Sequence, residues 1–563
     1  MDKRFLLALL LTGIVVILTP LLFQTGQRGA PIEVTQAPAV DSNTVAITPA
    51  LTPPSVSATP VDSAAAATDT AAATAAPAVA DTVSVTTSLA SYRFSTMGAA
   101  PVSVGMTHYR ALDGSTGPVE LVRQGERLIG FQLVVPGDTI DLRRAVFAVD
   151  SAALPGGGTQ LDFTTTVADR GVSIRYAISD TSYVMNVSGS VSGAGEGGAA
   201  WMMIDLPHGF ASAEADSLED QRHLSYAAKP VSGGTSGFSF GKLDPGERDV
   251  EEGPLSWVAA KNKYFILGLL VPDGDSSLAE LNVVGGPRTG KTASRASGVA
   301  VQALRGGSFA FEMYAGPQEW KRMVSLGREF ENSNPYGGFM QPVVQPFATI
   351  MMRILLWMKQ ASGLQYGWVL VIFGVAIRIL LWPLNQRAMR TSLRMQRLQP
   401  ELADVQKRYK NEPQKLQSEM MRIYKEHGMS PFSSLSGCLP MLLPMPILFA
   451  LFFVFQNTIE FRGVPFLWLP DISLKDPYYI MPLLMGVSMF VTSLISMRNV
   501  PPNPQTKAMA YIMPVMMTLF LVNLASGLNL YYAVQNLATI PQQWILSNER
   551  SKAAAAPKRS PAT

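Results

Sequence analysis

The chain has 563 residues, 47% of them hydrophobic and only 15% charged, well below the quarter or so typical of soluble domains. With a mean hydropathy of +0.18, this composition argues against one compact soluble enzyme, and the length fits two to four units. A single cysteine, Cys438, excludes a disulfide framework and a Cys-based metal site, and the four histidines (108, 208, 223 and 427) are too scattered for a metal centre.

The net charge of +3 hides a split. Residues 24–340 carry 22 basic and 32 acidic side chains, a net of −10, and the rest of the chain carries +13. Such asymmetry predicts an acidic soluble part and a basic, apolar part at a membrane.

Asp2, Lys3 and Arg4 precede an uncharged apolar stretch, 5–23. Nineteen residues at 1.5 Å each give about 28 Å, close to a bilayer core. Residues 1–23 therefore read as a transmembrane anchor. A cleaved signal peptide is the alternative, but its apolar region is shorter and no A-x-A site follows. Residues 24–90 are dominated by Ala, Thr, Val, Pro and Ser without a helical or strand period. They read as a disordered linker.

Residues 91–340 read as a large β domain. Short β-branched and aromatic runs are separated by Gly, Asp and Asn turns. Three hairpins are predicted, pairing 119–122 with 128–135, 172–178 with 183–187, and 257–260 with 264–271. No catalytic motif appears there, and His208 and Glu214 read as surface-loop residues. Residues 341–363 are apolar but interrupted by Gln345, Arg353 and Lys359, and read as an interfacial amphipathic helix.

Five further candidate spans follow, at 364–384, 435–455, 478–497, 508–525 and 528–546. With the anchor this makes six. The loops on one side hold 18 Lys and Arg, and the short loops opposite hold two, Arg462 and Lys475. The positive-inside rule then puts both termini in the cytoplasm and the β domain outside.

Arg378 is the outlier. It lies six residues, about 9 Å, inside the end of 364–384. A charge at that depth costs about 2.5–3.5 kcal/mol on insertion scales. Snorkelling to the boundary would require the side chain to bend against the helical lean toward the N-terminus. A wet, protein-lined cavity is the reading adopted. Tyr532, Gln535, Asn536, Thr539, Gln542 and Gln543 recur at helical steps in the last span, and no acidic residue lies in any span. A proton relay of carboxylates is thus missing, while a positive site would attract acidic parts of a crossing segment.

Residues 385–430 read as a basic hairpin of two amphipathic helices. Leu398, Leu402, Val405 and Tyr409 form one stripe and Leu416, Met420, Ile423 and His427 the other, with Pro413 opening the second helix. A purely topological role and docking on ribosomal RNA or anionic lipid both remain open. Nineteen of the 27 methionines lie from Met340 onward. They suit either varied apolar partners or gap-filling between helices. Pro440, Pro444 and Pro446 predict a kinked third span.

Four segments carry a resemblance: GVAIRILLWPLNQ, MRIYKEHGMSPFSSLSGCLPMLLPMPILFALFFVF, DPYYIMPLLMGVSMFV and SGLNLYYAVQNLATIPQQWIL. In order and content they resemble the YidC family of membrane protein insertases, in the diderm bacterial form with a periplasmic domain, and WVAAKNKYF fits that form too. The resemblance implies a polytopic α-helical membrane protein of six spans. A five-span insertase core at 364–546 would join a periplasmic β-supersandwich. It also implies a hydrophilic groove open to cytoplasm and lipid. The family's groove arginine falls on Arg378 and its tyrosine on Tyr532, with Gln535 and Asn536 beside them. Client contacts would fall on Tyr531, Met441, Met445, Met513 and Met517. The active hairpin would use Arg394, Arg397, Lys407, Arg408, Met420 and Tyr424, and 547–563 would be a basic cytoplasmic tail. Some members have a hydroxyl residue one turn before the arginine where this chain has Gly374, so the neighbours of Arg378 stay open.

The implied function is insertion and chaperoning of nascent inner-membrane proteins, without enzymatic chemistry or cofactor. The implied partners are those nascent chains, the Sec translocon with its accessory subunits, the ribosome and membrane lipid, and no DNA. A small-anion channel or secondary transporter using Arg378 is the alternative, weakened by the lack of inverted repeats. A passive envelope scaffold is a third.

Overall fold

The computed structural model describes residues 80–194, 199–272, 277–290, 292–334, 341–426, 445–497 and 504–555. The N-terminal anchor and most of the linker lie outside the described residues, as do His427, Pro440, Met441 and Pro444.

The β-rich part begins earlier than the composition suggests. Thr82–Thr86 is already a strand, paired antiparallel with Ala90–Ser95. Its TVSVT sequence looks like linker, yet alternation turns Val83 and Val85 inward. These strands join Ala100–Arg110 and Pro118–Glu120 in a four-stranded sheet. A second, fourteen-stranded sheet holds Arg248–Lys261, Phe265–Leu270 and Ser308–Pro317 side by side. Phe265–Leu270 is buried along its whole length, because it is flanked on both edges and covered on both faces. The two sheets face each other through aromatic side chains. The Phe94 ring centroid lies 4.9 Å from that of Tyr176 and 6.1 Å from that of Phe163, and Tyr176 Oη donates to the Ala99 carbonyl at 2.7 Å.

Two expected hairpins form. Arg170–Ser179 pairs with Val184–Val191, with Ile178 opposite Met185, and Arg248–Lys261 pairs with Phe265–Leu270, with Trp257 opposite Leu270. The third does not. Pro118–Glu120 pairs within the small sheet, whereas Gly130–Val135 pairs with Trp201–Asp205 and Asp138–Asp141 in the large one. The chain between them crosses from one sheet to the other, so proximity in sequence is misleading here.

The helices are α1 (Ser217–Arg222), α2 (Trp320–Ser325), α3 (Gln341–Ser362), α4 (Tyr366–Arg408), α5 (Pro413–Glu426), α6 (Met445–Asn457), α7 (Ile480–Met497), α8 (Pro504–Leu521) and α9 (Ser526–Ala555). α3 turns Val344, Ala348, Met351, Met352 and Leu355 inward at steps of four, three, one and three, packing against α6. α9 lies between α4 and α7. Ile379, Leu380, Leu483, Leu519 and Trp544 point outward, all more than half exposed. Such an apolar exterior matches lipid rather than water.

Within the described residues two helices are long and apolar enough to cross a membrane, over Tyr366–Pro383 and Ile480–Met497, and Ala510–Leu521 is a shorter apolar stretch. The other expected spans fall short for identifiable reasons. α6 is described only from Met445, α8 has Gln505, Thr506 and Lys507 in its first turn, and α9 carries its polar stripe. The span at 364–384 and the first limb of the hairpin are one continuous 43-residue helix rather than two elements. Pro383 falls between them, yet the helix continues through it. α9 likewise carries the last span into the basic tail as far as Ala555. The hairpin turn falls before Pro413, the first residue of α5. Leu398 and Leu402 pack on Ile423 and Tyr424, flanked by Val405 and Met420.

The loop at 458–479 ties the helices to the β domain. Asp476 caps α7, its carboxylate accepting from the backbone N–H groups of Tyr478 at 2.9 Å and Met481 at 2.6 Å. Ile459 enters the β-domain core. Arg462 donates through Nε to both carboxylate oxygens of Glu214, at 2.8 and 3.0 Å. Glu214 is therefore a buried ion-pair partner and not a surface-loop residue, its side chain only 6% exposed.

Candidate functional site

Arg378 sits in the C-terminal half of the apolar part of α4, Tyr366–Pro383. It lines an open cleft of about 440 Å³ with Val371, Val375, Ile379, Trp382, Val534, Leu537 and Ala538. Among the described residues the wall comes from α4 and α9 alone, and apart from Arg378 it is apolar. The guanidinium Nη2 donates to Gln542 Oε1 at 2.6 Å. Among the described residues the Nε has no hydrogen-bond partner. Among the described residues Arg378 makes no ion pair within 4.0 Å, so its charge is solvated by an amide and not cancelled by a carboxylate.

Gln542 was only one member of a polar stripe in the sequence, yet it is the group that touches Arg378. The other stripe residues diverge. Gln535 Nε2 donates to the Gly374 carbonyl at 2.9 Å and to Tyr531 Oη at 3.1 Å. Asn536 turns to α7, where Nδ2 donates to Ser488 Oγ at 3.2 Å. Thr539 Oγ1 donates back to the Gln535 carbonyl at 2.6 Å. The Tyr532 hydroxyl is buried without a partner among the described residues, its ring packed with Met517 against Met485, Leu521 and Ala533. Successive residues on a helix are rotated by about 100°, so Gln535 and Asn536 cannot share a face. None of Tyr532, Gln535 and Asn536 lines the apolar cleft beside Arg378.

Gly374 explains part of this packing. A Cβ there would lie 3.0 Å from Val534 Cγ1 and 3.6 Å from Tyr531 Cδ2. Its absence lets α4 and α9 approach until Gln535 reaches the backbone.

The other expected contact residues are dispersed. Tyr531 is buried against Phe373, at 6.0 Å between ring centroids. Met513 and Met517 are half-buried on α8. Met445 opens α6, and Met441 lies outside the described residues. In the hairpin Tyr424 is buried, Met420 is half-buried, Lys407 and Arg408 are exposed, and Arg394 and Arg397 lie on α4. No group of three or more His, Cys, Asp or Glu that could hold a metal occurs among the described residues.

A family model described as YidC periplasmic domain matches residues 82–350, and one described as 60Kd inner membrane protein matches 357–553. The chain is similar to the membrane protein insertase YidC of Chlorobaculum tepidum, 30% identical over 518 residues that cover 86% of this chain and 85% of that protein. The chain belongs to the YidC family of membrane protein insertases. The YidC of Prosthecochloris aestuarii is 32% identical over 474 residues, covering 78% of each chain. Among solved structures, an active YidC insertase crystal structure with the first transmembrane domain resolved aligns with 82% of this chain and 92% of its own, at 18% identity and a TM-score of 0.33. A galactose mutarotase-like protein from Lactobacillus casei aligns with 42% of this chain and 100% of its own, at 12% identity and a TM-score of 0.30. The YidC periplasmic match begins at residue 82, where the first strand begins. The family is one of insertases and not of enzymes.

Proposed function

We propose that this protein inserts nascent membrane proteins into the inner membrane and helps them fold, with the cleft at Arg378 as the place where a client's polar flank pauses. The observation that carries the reading is Arg378 itself: a half-buried arginine on an apolar helix, in the wall of an open cleft, with a neutral amide as its side-chain partner among the described residues. An uncancelled positive charge at membrane depth is costly. It attracts the carboxylates of a short segment waiting to cross. The cleft's apolar wall gives the adjoining hydrophobic segment a surface to lie on. Burial of that segment in lipid then drives insertion, at roughly 0.8 kcal/mol per buried methylene.

Six spans, with both termini cytoplasmic and the β domain periplasmic, complete the proposal, supported by the distribution of Lys and Arg in the loops. Residues 364–546 would form the insertase core, 341–363 an interfacial helix and 24–81 a tether. Tyr532, Gln535 and Asn536 would supply polar groups further along α9. Tyr531, Met441, Met445, Met513 and Met517 would meet the client. The basic hairpin residues Arg394, Arg397, Lys407 and Arg408, backed by Met420 and Tyr424, would meet the ribosome or anionic lipid, and the Sec translocon would share longer clients.

The test is insertion of a small single-span client with an acidic translocated flank into vesicles containing the purified full chain. Arg378→Ala should cut insertion at least tenfold while the protein stays folded, and Arg378→Lys should keep part of the activity. A photocrosslinker at Val375 should reach the stalled client. Wild-type rates in Arg378→Ala vesicles would defeat the proposal.

A further inference from the structure

The amide of Gln542 is used twice. Its Oε1 accepts from Arg378 Nη2 at 2.6 Å, and its Nε2 donates to the Trp382 carbonyl at 3.3 Å. Arg378 and Trp382 stand one turn apart on α4, so one buried side chain of α9 spans that turn. Gln542 is 1% exposed, although glutamine is a residue of surfaces. Glutamine suits this position because an amide both accepts and donates without charge. A carboxylate in its place would accept from Arg378 but could not donate to Trp382, and it would cancel the positive charge. An aliphatic side chain would leave the guanidinium with no anchor. The Trp382 indole is fixed as well, its Nε1 donating to Gln386 Oε1 at 2.8 Å, so the cleft's cytoplasmic-side wall is held by amides on both helices.

We infer that Gln542 is a positioning residue that fixes the Arg378 guanidinium at the cleft while leaving its charge free, and so sets the preference for clients with acidic flanks. The inference rests on the insertase reading of Arg378 and adds the residue on which that arginine depends. Long flexible side chains gain from such anchoring because ordering them otherwise works against binding. Gln542 acts through Arg378 and need not touch the client.

The experiment uses the full chain in vesicles and two clients that differ only in their translocated flank, one with two aspartates and one with two asparagines. For the wild-type protein the aspartate client should insert faster. Gln542→Glu, which keeps size and shape, should lower insertion of the aspartate client about tenfold and change the asparagine client less than twofold. Gln542→Leu should lower the aspartate client by a smaller factor, since the charge survives but is unanchored. Thermal unfolding of both variants near the wild-type midpoint checks folding. A purely structural role would lower both clients equally, and that result, or no change with Gln542→Glu, overturns the assignment. Arg378→Ala runs alongside. If it inserts both clients normally, the insertase reading of Arg378 fails. If it is defective while Gln542→Glu is normal, only the role of Gln542 fails.

Discussion

Arg462 and Glu214 lie 248 residues apart and form an ion pair in which the one Arg462 Nε–H is shared between both carboxylate oxygens, at 2.8 and 3.0 Å, their side chains 5% and 6% exposed. The pair joins the loop between α6 and α7 to the β domain. It is well satisfied. Arg462 Nη1 also donates to the Arg110 carbonyl at 3.0 Å, and its guanidinium lies 5.9 Å from the ring of Tyr264 and 5.8 Å from that of Phe265. Removing one member of a buried pair leaves the other charge without compensation. Glu214→Ala or Arg462→Ala should therefore destabilise the joint by about 3–5 kcal/mol. Replacing both with apolar residues should cost much less than either single change. Thermal unfolding of the four proteins, arranged as a double-mutant cycle, measures the coupling.

Glu460 gives the same joint a pH dependence. Its Oε1 accepts from the Trp320 backbone N–H at 3.2 Å, and its Oε2 is buried without a partner among the described residues. Burial pushes its carboxyl up to about 7, with the nearby Glu319 acting in the same direction and Lys321 against it. The folded state thus holds a proton that the unfolded chain releases near the ordinary value of 4.5. Stability from this group is greatest at low pH and falls as pH rises through the window from about 4.5 to about 7, then levels off. Glu460→Gln mimics the protonated form. It should flatten that slope and raise the unfolding temperature at pH 8 more than at pH 5, as measured by differential scanning fluorimetry across the range. An unchanged slope would mean that other groups carry the pH dependence.

Much of this architecture was written locally. Pro413 marks the start of α5, and the break between the runs 257–260 and 264–271 marks the turn between two β strands. Arg378 stood out because apolar neighbours make a charge conspicuous. What could not be read was anything set by distant packing. Thr82–Thr86 has the composition of the linker before it, and only its pairing with Ala90–Ser95 makes it a strand. Glu214 looked like a loop acid because its partner is 248 residues away. The partner of Arg378 was hidden for a different reason. Six polar residues recur in the last span, and spacing alone does not say which faces α4. Gln542 does, Asn536 faces α7, and the Tyr532 hydroxyl makes no hydrogen bond among the described residues.

Gly367 and Phe466 are matched in shape. A Cβ on Gly367 would fall 2.0 Å from Phe466 Cδ2, so the first turn of α4 accepts the ring only because that side chain is missing. Phe466 is buried and meets Trp368 edge-on at 5.4 Å between ring centroids. Gly367→Ala should destabilise by about 1–3 kcal/mol through overpacking, despite the better helix propensity of alanine. Phe466→Leu in the same protein should recover part of that loss, although alone it would be destabilising. A sign reversal of this kind in unfolding midpoints is the signature of a steric pair.

The hairpin should respond independently of the membrane helices. Leu398, Leu402, Ile423 and Tyr424 form a cluster of their own, separate from the one that joins α3, α4 and α6. It is small, and Leu402 retains 8% exposure, so the cost of Leu402→Ala should sit at the low end of buried leucine truncations, about 2 kcal/mol. Because α5 has just 14 residues and is marginal without packing, that loss is enough to release it from α4. Hydrogen exchange of 413–426 should accelerate roughly 30-fold, the factor that corresponds to about 2 kcal/mol, while exchange in α7 stays unchanged. Lys407→Gln and Arg408→Gln, on the exposed face of the same hairpin, should leave exchange within twofold of wild type. Faster exchange in α7 after Leu402→Ala would show that the hairpin and the membrane helices unfold as one unit.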